Sequence, residues 1–248
     1  MNHRLLTAIQ RLYGLPGRAL EAERSSLTLV SDEGRVRTMV LGVAAPADWP
    51  ALSAVWRGVQ GDLELPAPAI AVNGVDAYEL WFSLVEPVTL AQAVSFLEGL
   101  RMRCLSGLKA QRVRMYPRAA EEKQAVPLIP APQGESGNWS AYVAPDLAAV
   151  FGEEPLLDVP PGDDAQAELL SRLASIKSDA FQAALLALQP VALEIAHASA
   201  ATSSVVAGAG FVGAARYGDP KLFLLDVMND ASVALALRIE AAKALMQR

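Results

Sequence analysis

A cluster of basic residues near the middle of the chain has the residue types and spacing that could contact a nucleic acid. Seven of the 21 lysines and arginines fall within residues 101–123. If Gln111–Tyr116 is a β-strand, its period of two places Arg112, Arg114 and Tyr116 on one face. We expect the following side chains to form the contact surface: Arg101, Arg103, Arg112, Arg114, Tyr116 and Arg118.

Arginines interleaved with an aromatic ring suit a single-stranded nucleic acid, since guanidinium groups pair with phosphates and a ring stacks on a base. The alternative is a solvated sheet face, or a set of ion pairs with some of the 27 acidic residues. The net charge is −6. The chain as a whole therefore does not attract a polyanion, and binding would depend on this local cluster.

Other residue types offer little chemistry. The two histidines, His3 and His197, and the single cysteine, Cys104, cannot assemble a zinc site at a recognised spacing. The sequence contains no phosphate-binding loop of the Gly-x-x-x-x-Gly-Lys-Ser/Thr type. We therefore predict no catalytic residue, no metal and no cofactor, and the sequence favours a protein that is not an enzyme.

Composition predicts a folded protein. Of the 248 residues, 52% are hydrophobic and 19% are charged, which is ample for a packed core. No apolar run approaches the ~20 residues that span a bilayer. The first residues lack the apolar core of a signal peptide. These features predict no membrane association and a cytoplasmic location.

Turn, strand and helix signals alternate along the chain. Asn73-Gly74 predicts a turn, Tyr78–Val85 a buried strand, and Thr89 the cap of a helix that runs from Leu90 to about Cys104. Helices are also predicted after Asp48, Asp164 and Asp179. The other predicted strands are Ser26–Val30, Val36–Val43, Ile70–Val72, Gln111–Tyr116, Val126–Ile129 and Asn138–Val143, with a hairpin turn at Asp32–Gly34. This interleaving predicts an α/β (α+β) fold with a sheet of mixed pairing.

Five segments follow from these patterns and from a small-residue tract near the C-terminus. They are an N-terminal helix at 1–24, an α/β domain at 25–176, a helical extension at 177–201, a flexible linker at 202–218 and a helical hairpin at 219–248.

Seven short motifs occur in a fixed order. They are an apolar strand, a turn leading into a Trp-Phe strand, a Pro-Val before a helix, a Pro-basic element, two short strands and an acidic segment with a glutamine. In this chain they are Met39–Ala45, Asn73–Phe82, Glu86–Val88, Tyr116–Arg118, Val126–Ile129, Trp139–Tyr142 and Asp163–Gln166. Through this order, residues 36–175 resemble the catalytic domain of the archaeo-eukaryotic primase superfamily, especially the primase-polymerase-like domains of mobile and conflict elements.

The chain departs from that family where the family does its chemistry. The family's Asp-x-Asp motif falls on Gly42-Val43-Ala44, and its phosphate-contacting histidine falls on Glu79. Primases need two or three carboxylates to hold divalent metal. A carboxylate at Glu79 would repel a triphosphate. The resemblance therefore implies a pseudoenzyme with degenerate positions at Gly42, Ala44 and Glu79.

We expect a catalytically inactive, primase-like protein that binds single-stranded nucleic acid in the DNA replication of a mobile element or phage. Phe223–Asp230 and Leu237–Lys243 look like tail segments of some phage packaging-associated proteins. Two alternatives remain open. One is an interaction scaffold whose hairpin 219–248 binds a protein partner, and the other is a divergent nucleotidyltransferase.

Overall fold

The computed structural model describes residues 1–20, 25–119, 124–152 and 154–189 of the chain. These residues have an α+β fold, as the sequence predicted, with five α-helices and two antiparallel sheets. The predicted linker 202–218, the hairpin 219–248 and the part of the helical extension beyond residue 189 lie outside the described residues. None of the helices in the described part of the chain is long and apolar enough to cross a membrane.

Helices and strands alternate in the order that the sequence patterns indicated. The helices are α1 (His3–Tyr13), α2 (Trp49–Gly61), α3 (Leu90–Cys104), α4 (Asp163–Ser171) and α5 (Ser178–Leu188). The strands are β1 (Ser26–Thr28), β2 (Arg35–Ala44), β3 (Ala69–Val72), β4 (Ala77–Thr89), β5 (Val113–Tyr116), β6 (Ala125–Pro127) and β7 (Ala141–Val143).

A five-stranded sheet in the order β5-β2-β4-β3-β7 forms the centre of the fold. Its face that carries Phe82 packs against α3 and α5, where Phe96 lies between Phe82 and Phe181 with ring centroids 5.5 and 5.2 Å away. The opposite face carries Trp81 and receives Tyr13 of α1 at 5.3 Å. Because β4 is buried on both faces, its sequence is apolar almost without interruption.

Both sheets are antiparallel, so the predicted mixed pairing is wrong for the strands themselves. Within the described residues, parallel pairing is limited to one bridge between Leu84 and Ile176. The predicted hairpin between Ser26–Val30 and Val36–Val43 also needs correction. β1 pairs with β6 instead, and a single bridge, Val30 to Val36, is what remains of the hairpin ladder.

Local capping signals place the helices well. Thr89 and Gln92 form a reciprocal capping box at the start of α3, and Asp48 accepts a hydrogen bond from the Ala51 amide at the start of α2. Both caps were predicted. The predicted cap at Asp164 is wrong, because α4 begins one residue earlier and its N-cap residue is Gly162.

Candidate nucleic-acid interface

Three residues that the sequence singled out meet on one face of the central sheet. Gly42 lies directly opposite Arg114 on β5 and directly opposite Glu79 on β4. Opposite residues on antiparallel neighbours project from the same face, so the Glu79 and Arg114 side chains flank Gly42. Ala44, the other degenerate family position, lies opposite Ala77 at the end of β2.

Glu79 and Arg114 line a cavity of about 190 Å³ between this sheet face and the segment that includes β6. One wall is polar and belongs to the sheet and the loop before β7, and the other wall is apolar. The polar lining consists of Asn73, Glu79, Arg114, Tyr116, Gln133 and Ser140, and the apolar lining of Ala125, Val126, Pro127 and Ile129.

The Glu79 carboxylate has a fixed orientation and one open oxygen. Its Oε2 accepts a hydrogen bond of 2.9 Å from the Trp81 indole Nε1, whereas its Oε1 accepts none from the described residues. Burial raises the pKa of Glu79, and the Trp81 hydrogen bond and the Arg114 charge offset only part of that rise. Glu79 is therefore a poorly solvated acid in the wall of the cavity.

Arg114 is held by Asp76. Its Nη1 and Nη2 donate to the two carboxylate oxygens of Asp76 at 2.8 and 2.6 Å. Burial raises the pKa of Asp76, but hydrogen bonds from Arg114 and Asn73 outweigh it and hold the pKa below its ordinary value. The Asn73 side chain also accepts three backbone N–H groups of its own turn, which fixes Asp76 beside the strand.

Arg112 does not share the strand face, which corrects the prediction that the strand begins at Gln111. It ends a 3₁₀ turn, Ala110–Arg112, just before β5. Its guanidinium donates to the carbonyl oxygens of Ala44 and Pro46 at 3.3 and 2.6 Å, and it pairs with Asp48 at 3.6 Å. Arg112 thus joins the start of β5 to the end of β2.

The two arginines at the end of α3 lie on a helix and have acidic partners. Arg101 pairs with Glu98 at 2.7 Å, and Arg103 pairs with Asp62 at 3.3 Å. The sequence left open that the basic cluster is a set of ion pairs, and the contacts of Arg101, Arg103, Arg112 and Arg114 agree with that alternative.

Tyr116 and Arg118 lie together at the end of β5. Tyr116 is half-buried, Arg118 is exposed, and the guanidinium carbon lies 4.9 Å from the ring centroid. Tyr116 lines the 190 Å³ cavity, and Arg118 lines a second, larger cleft of about 410 Å³ between α3 and β5. β5, which ends at Tyr116, is an edge strand of the sheet.

Several polar residues of the cavity were missed by sequence reasoning. Gln133 comes from a loop with no chemical motif, Ser140 was noted only inside the Trp139–Tyr142 motif, and Asp76, the partner of Arg114, was seen only as part of a turn. A signal did exist for Glu79 and Trp81, since the period of two places an acid and an indole on the same face of β4. Their hydrogen bond follows from that spacing.

In the described part of the chain, no group of three or more histidine, cysteine, aspartate or glutamate side chains could hold a metal ion. Comparison with known proteins adds no family: no family model matches the chain, and no curated protein matches it significantly. The fold and its cavity thus define an α+β protein with a partly polar pocket over one face of the central sheet.

Proposed function

We propose that this protein binds single-stranded nucleic acid at the edge of its central sheet and does not transfer nucleotides. The observation that carries the proposal is the pair formed by Tyr116 and Arg118, a half-buried ring and an exposed arginine beside a cavity of about 190 Å³. Rings of this kind stack on bases irrespective of sequence, and arginine contributes cation–π attraction and phosphate contacts.

The positions around Gly42 support the second half of the proposal. A primase-like active site would carry metal-binding carboxylates at positions 42 and 44 themselves, and this chain has Gly42 and Ala44 there. The acid that is present, Glu79, stands beside the Arg114–Asp76 pair, so the cavity has no excess positive charge to attract a triphosphate. With magnesium or manganese, we expect no template-dependent incorporation of nucleotides. Incorporation that is abolished by substituting an acid of this chain would favour the divergent nucleotidyltransferase.

The set of residues that we propose to contact nucleic acid is smaller than the set that the sequence predicted. Arg114 donates two N–H groups to Asp76 and forms an ion pair with it. Arg112 forms an ion pair with Asp48 and donates to backbone carbonyl oxygens. We therefore assign these two arginines the role of positioning the edge strand. We assign the contact with nucleic acid to Tyr116 and Arg118 because the ring and the guanidinium lie together, 4.9 Å apart, at the end of the edge strand.

The test is the affinity for a mixed-sequence single-stranded oligonucleotide, measured over a range of salt concentrations. Arg118→Ala should weaken binding and reduce the salt slope by about 0.7, because one phosphate contact is lost. Tyr116→Ala should cost roughly 1–3 kcal/mol with the slope unchanged. Arg172→Ala is the matched control, since it removes the arginine that follows α4, whose side chain is 73% exposed.

The interaction scaffold remains the second candidate, and the acid partners of the arginines favour it. Under that hypothesis, the oligonucleotide fails to bind even at low salt, or both Tyr116→Ala and Arg118→Ala bind it like the wild type. Either result would overturn nucleic-acid binding at this edge. The hairpin 219–248, through which a scaffold was expected to bind its partner, lies outside the described residues.

A further inference from the structure

The cavity beside Tyr116 has walls that match the two kinds of surface on a nucleobase. A base has apolar faces and polar edges. The wall formed by Val126, Pro127 and Ile129 can cover a face, and the sheet side presents polar groups to an edge. At about 190 Å³, the cavity is smaller than the ~300–1,000 Å³ clefts that hold drug-sized ligands, so a single ring system is the suitable occupant.

The charges in the cavity select for hydrogen-bond donors and against anions. Arg114 is neutralised by Asp76, which leaves Glu79 as the group without an ionic partner within 4 Å among the described residues. Among the described residues, the Glu79 Oε1 accepts no hydrogen bond, and its Oε2 accepts one, from the Trp81 indole N–H. An ionised carboxylate accepts hydrogen bonds and donates none. The favoured ligand edge therefore carries N–H groups side by side.

Among the common bases, guanine presents two adjacent donors, N1–H and the 2-amino group. Cytosine and adenine present one amino group next to an acceptor nitrogen, and an acceptor facing an ionised carboxylate is repelled. A carboxylate can receive two parallel N–H bonds in the way that it receives an arginine fork.

We infer that the cavity is a guanine-binding pocket in which the Glu79 carboxylate accepts both donors of the base and Tyr116 forms part of the lining. This inference rests on the proposed function, because it assigns a specific base to the same edge of the sheet. Trp81 is a positioning residue, since its indole holds the carboxylate without lining the cavity.

The test uses labelled oligothymidylates of equal length, with a central guanine, a central hypoxanthine or thymine throughout. Hypoxanthine keeps N1–H and lacks the 2-amino group, so it removes one donor and little else. We expect the guanine oligonucleotide to bind about tenfold more tightly than the other two, as one charge-assisted hydrogen bond implies. Glu79→Gln should abolish that preference, and the exposed Glu33→Gln should retain it.

The outcomes distinguish failure of the guanine pocket from failure of nucleic-acid binding itself. Equal binding of all three oligonucleotides by the wild type would overturn the guanine pocket and leave the proposed function standing. Absence of binding to all three at low salt would overturn the proposed function. In that case, titration with free guanosine and free inosine tests whether the cavity binds guanine independently of an oligonucleotide. A preference for guanosine that Glu79→Gln removes would support the guanine pocket, and no preference would overturn it. The wild-type comparison needs no variant, so it holds even if Glu79→Gln folds poorly.

Discussion

Gly42 illustrates how the site depends on the size of a single residue. A Cβ atom placed there would lie 3.2 Å from the Tyr78 carbonyl oxygen, 3.3 Å from Glu79 Cγ and 3.7 Å from Arg114 Cβ. The absent side chain is therefore what lets the Glu79 and Arg114 side chains share the sheet face. Gly42 is also a position where a primase-like site would carry a metal-binding carboxylate, which is one reason for our proposal that the protein does not transfer nucleotides.

Replacement of Gly42 by valine should destabilise the protein by about 1–3 kcal/mol, because the added atoms must displace neighbours on a buried strand. Urea unfolding measures the effect. Gly107→Val is the control, since a Cβ at that loop position meets no atom within 4 Å. Equal stability of Gly42→Val and the wild type would contradict the close approach described here.

Glu79 should make stability depend on pH. Its pKa is raised in the folded protein, so the protonated carboxyl contributes stability at low pH that is lost as pH rises through the folded pKa. Glutamine cannot ionise and can still accept the Trp81 hydrogen bond. Glu79→Gln should therefore be more stable than the wild type at neutral pH, with an advantage that shrinks toward pH ~4, near the ordinary pKa of glutamate.

Thermal unfolding of both proteins across that pH range checks this prediction. Glu33→Gln, an exposed substitution of the same kind, should follow the wild-type profile. A constant difference between Glu79→Gln and the wild type at every pH would show that burial does not perturb this carboxyl. The nearby charges of Asp76 and Arg114 are the same in all three proteins.

At the scale of elements, local sequence signals predicted where helices begin. The pairing partners of the strands could not be predicted in the same way, because they lie far apart in the sequence. The caps at Asp48 and Thr89 act within one helical turn, so the sequence alone reveals them. The partner of β1 is β6, about a hundred residues away, and no local pattern specifies that choice. The same limit applies to the site: Arg114 was predicted, but its partner Asp76 depends on the order of the strands.

Gln166 of α4 protects the far edge of the sheet. It is 4% exposed, its Oε1 accepts from the Tyr142 amide at 2.7 Å, and its Nε2 donates to the Tyr142 carbonyl at 3.0 Å. The amide side chain thus imitates one more strand residue beside β7. The sequence noted a glutamine at this place only through the family resemblance, and its structural role was not predicted.

Gln166→Ala should cost roughly 2 kcal/mol or more, because both backbone groups of Tyr142 lose their partner in a buried setting. Gln111→Ala, at an exposed position, should change stability by less than about 0.5 kcal/mol. Chemical denaturation of the two variants makes the comparison. If they unfold alike, water replaces the side chain and the edge does not need it.

At the scale of the whole molecule, the described residues lie within one compact unit that includes α5. Phe181 of α5 is fully buried against Phe96, and Leu188 packs over Gly99 of α3. The helical extension predicted at 177–201 is therefore, in its described part, a component of the core. The boundary predicted at residue 176 separates elements that pack together.

Three truncations test this arrangement. A chain ending at Gln189 should unfold cooperatively, with a melting temperature close to that of the full chain, and so should one that lacks only 219–248. A chain ending at Ile176 should be severely destabilised, since loss of a buried phenylalanine alone costs about 3–5 kcal/mol. Loss of the cooperative transition in the chain that ends at Gln189 would show that part of the core lies beyond residue 189.

The central claim, that nucleic acid contacts the edge strand at Tyr116, can be measured directly by photocrosslinking. A single-stranded oligonucleotide that carries 5-bromouracil is irradiated with the full chain, and the tryptic peptides are identified by mass spectrometry. We predict a crosslink in the peptide Met115–Arg118, because the Tyr116 ring is the stacking surface of the proposed interface. Crosslinks confined to other peptides, or none when the oligonucleotide is saturating, would contradict the account.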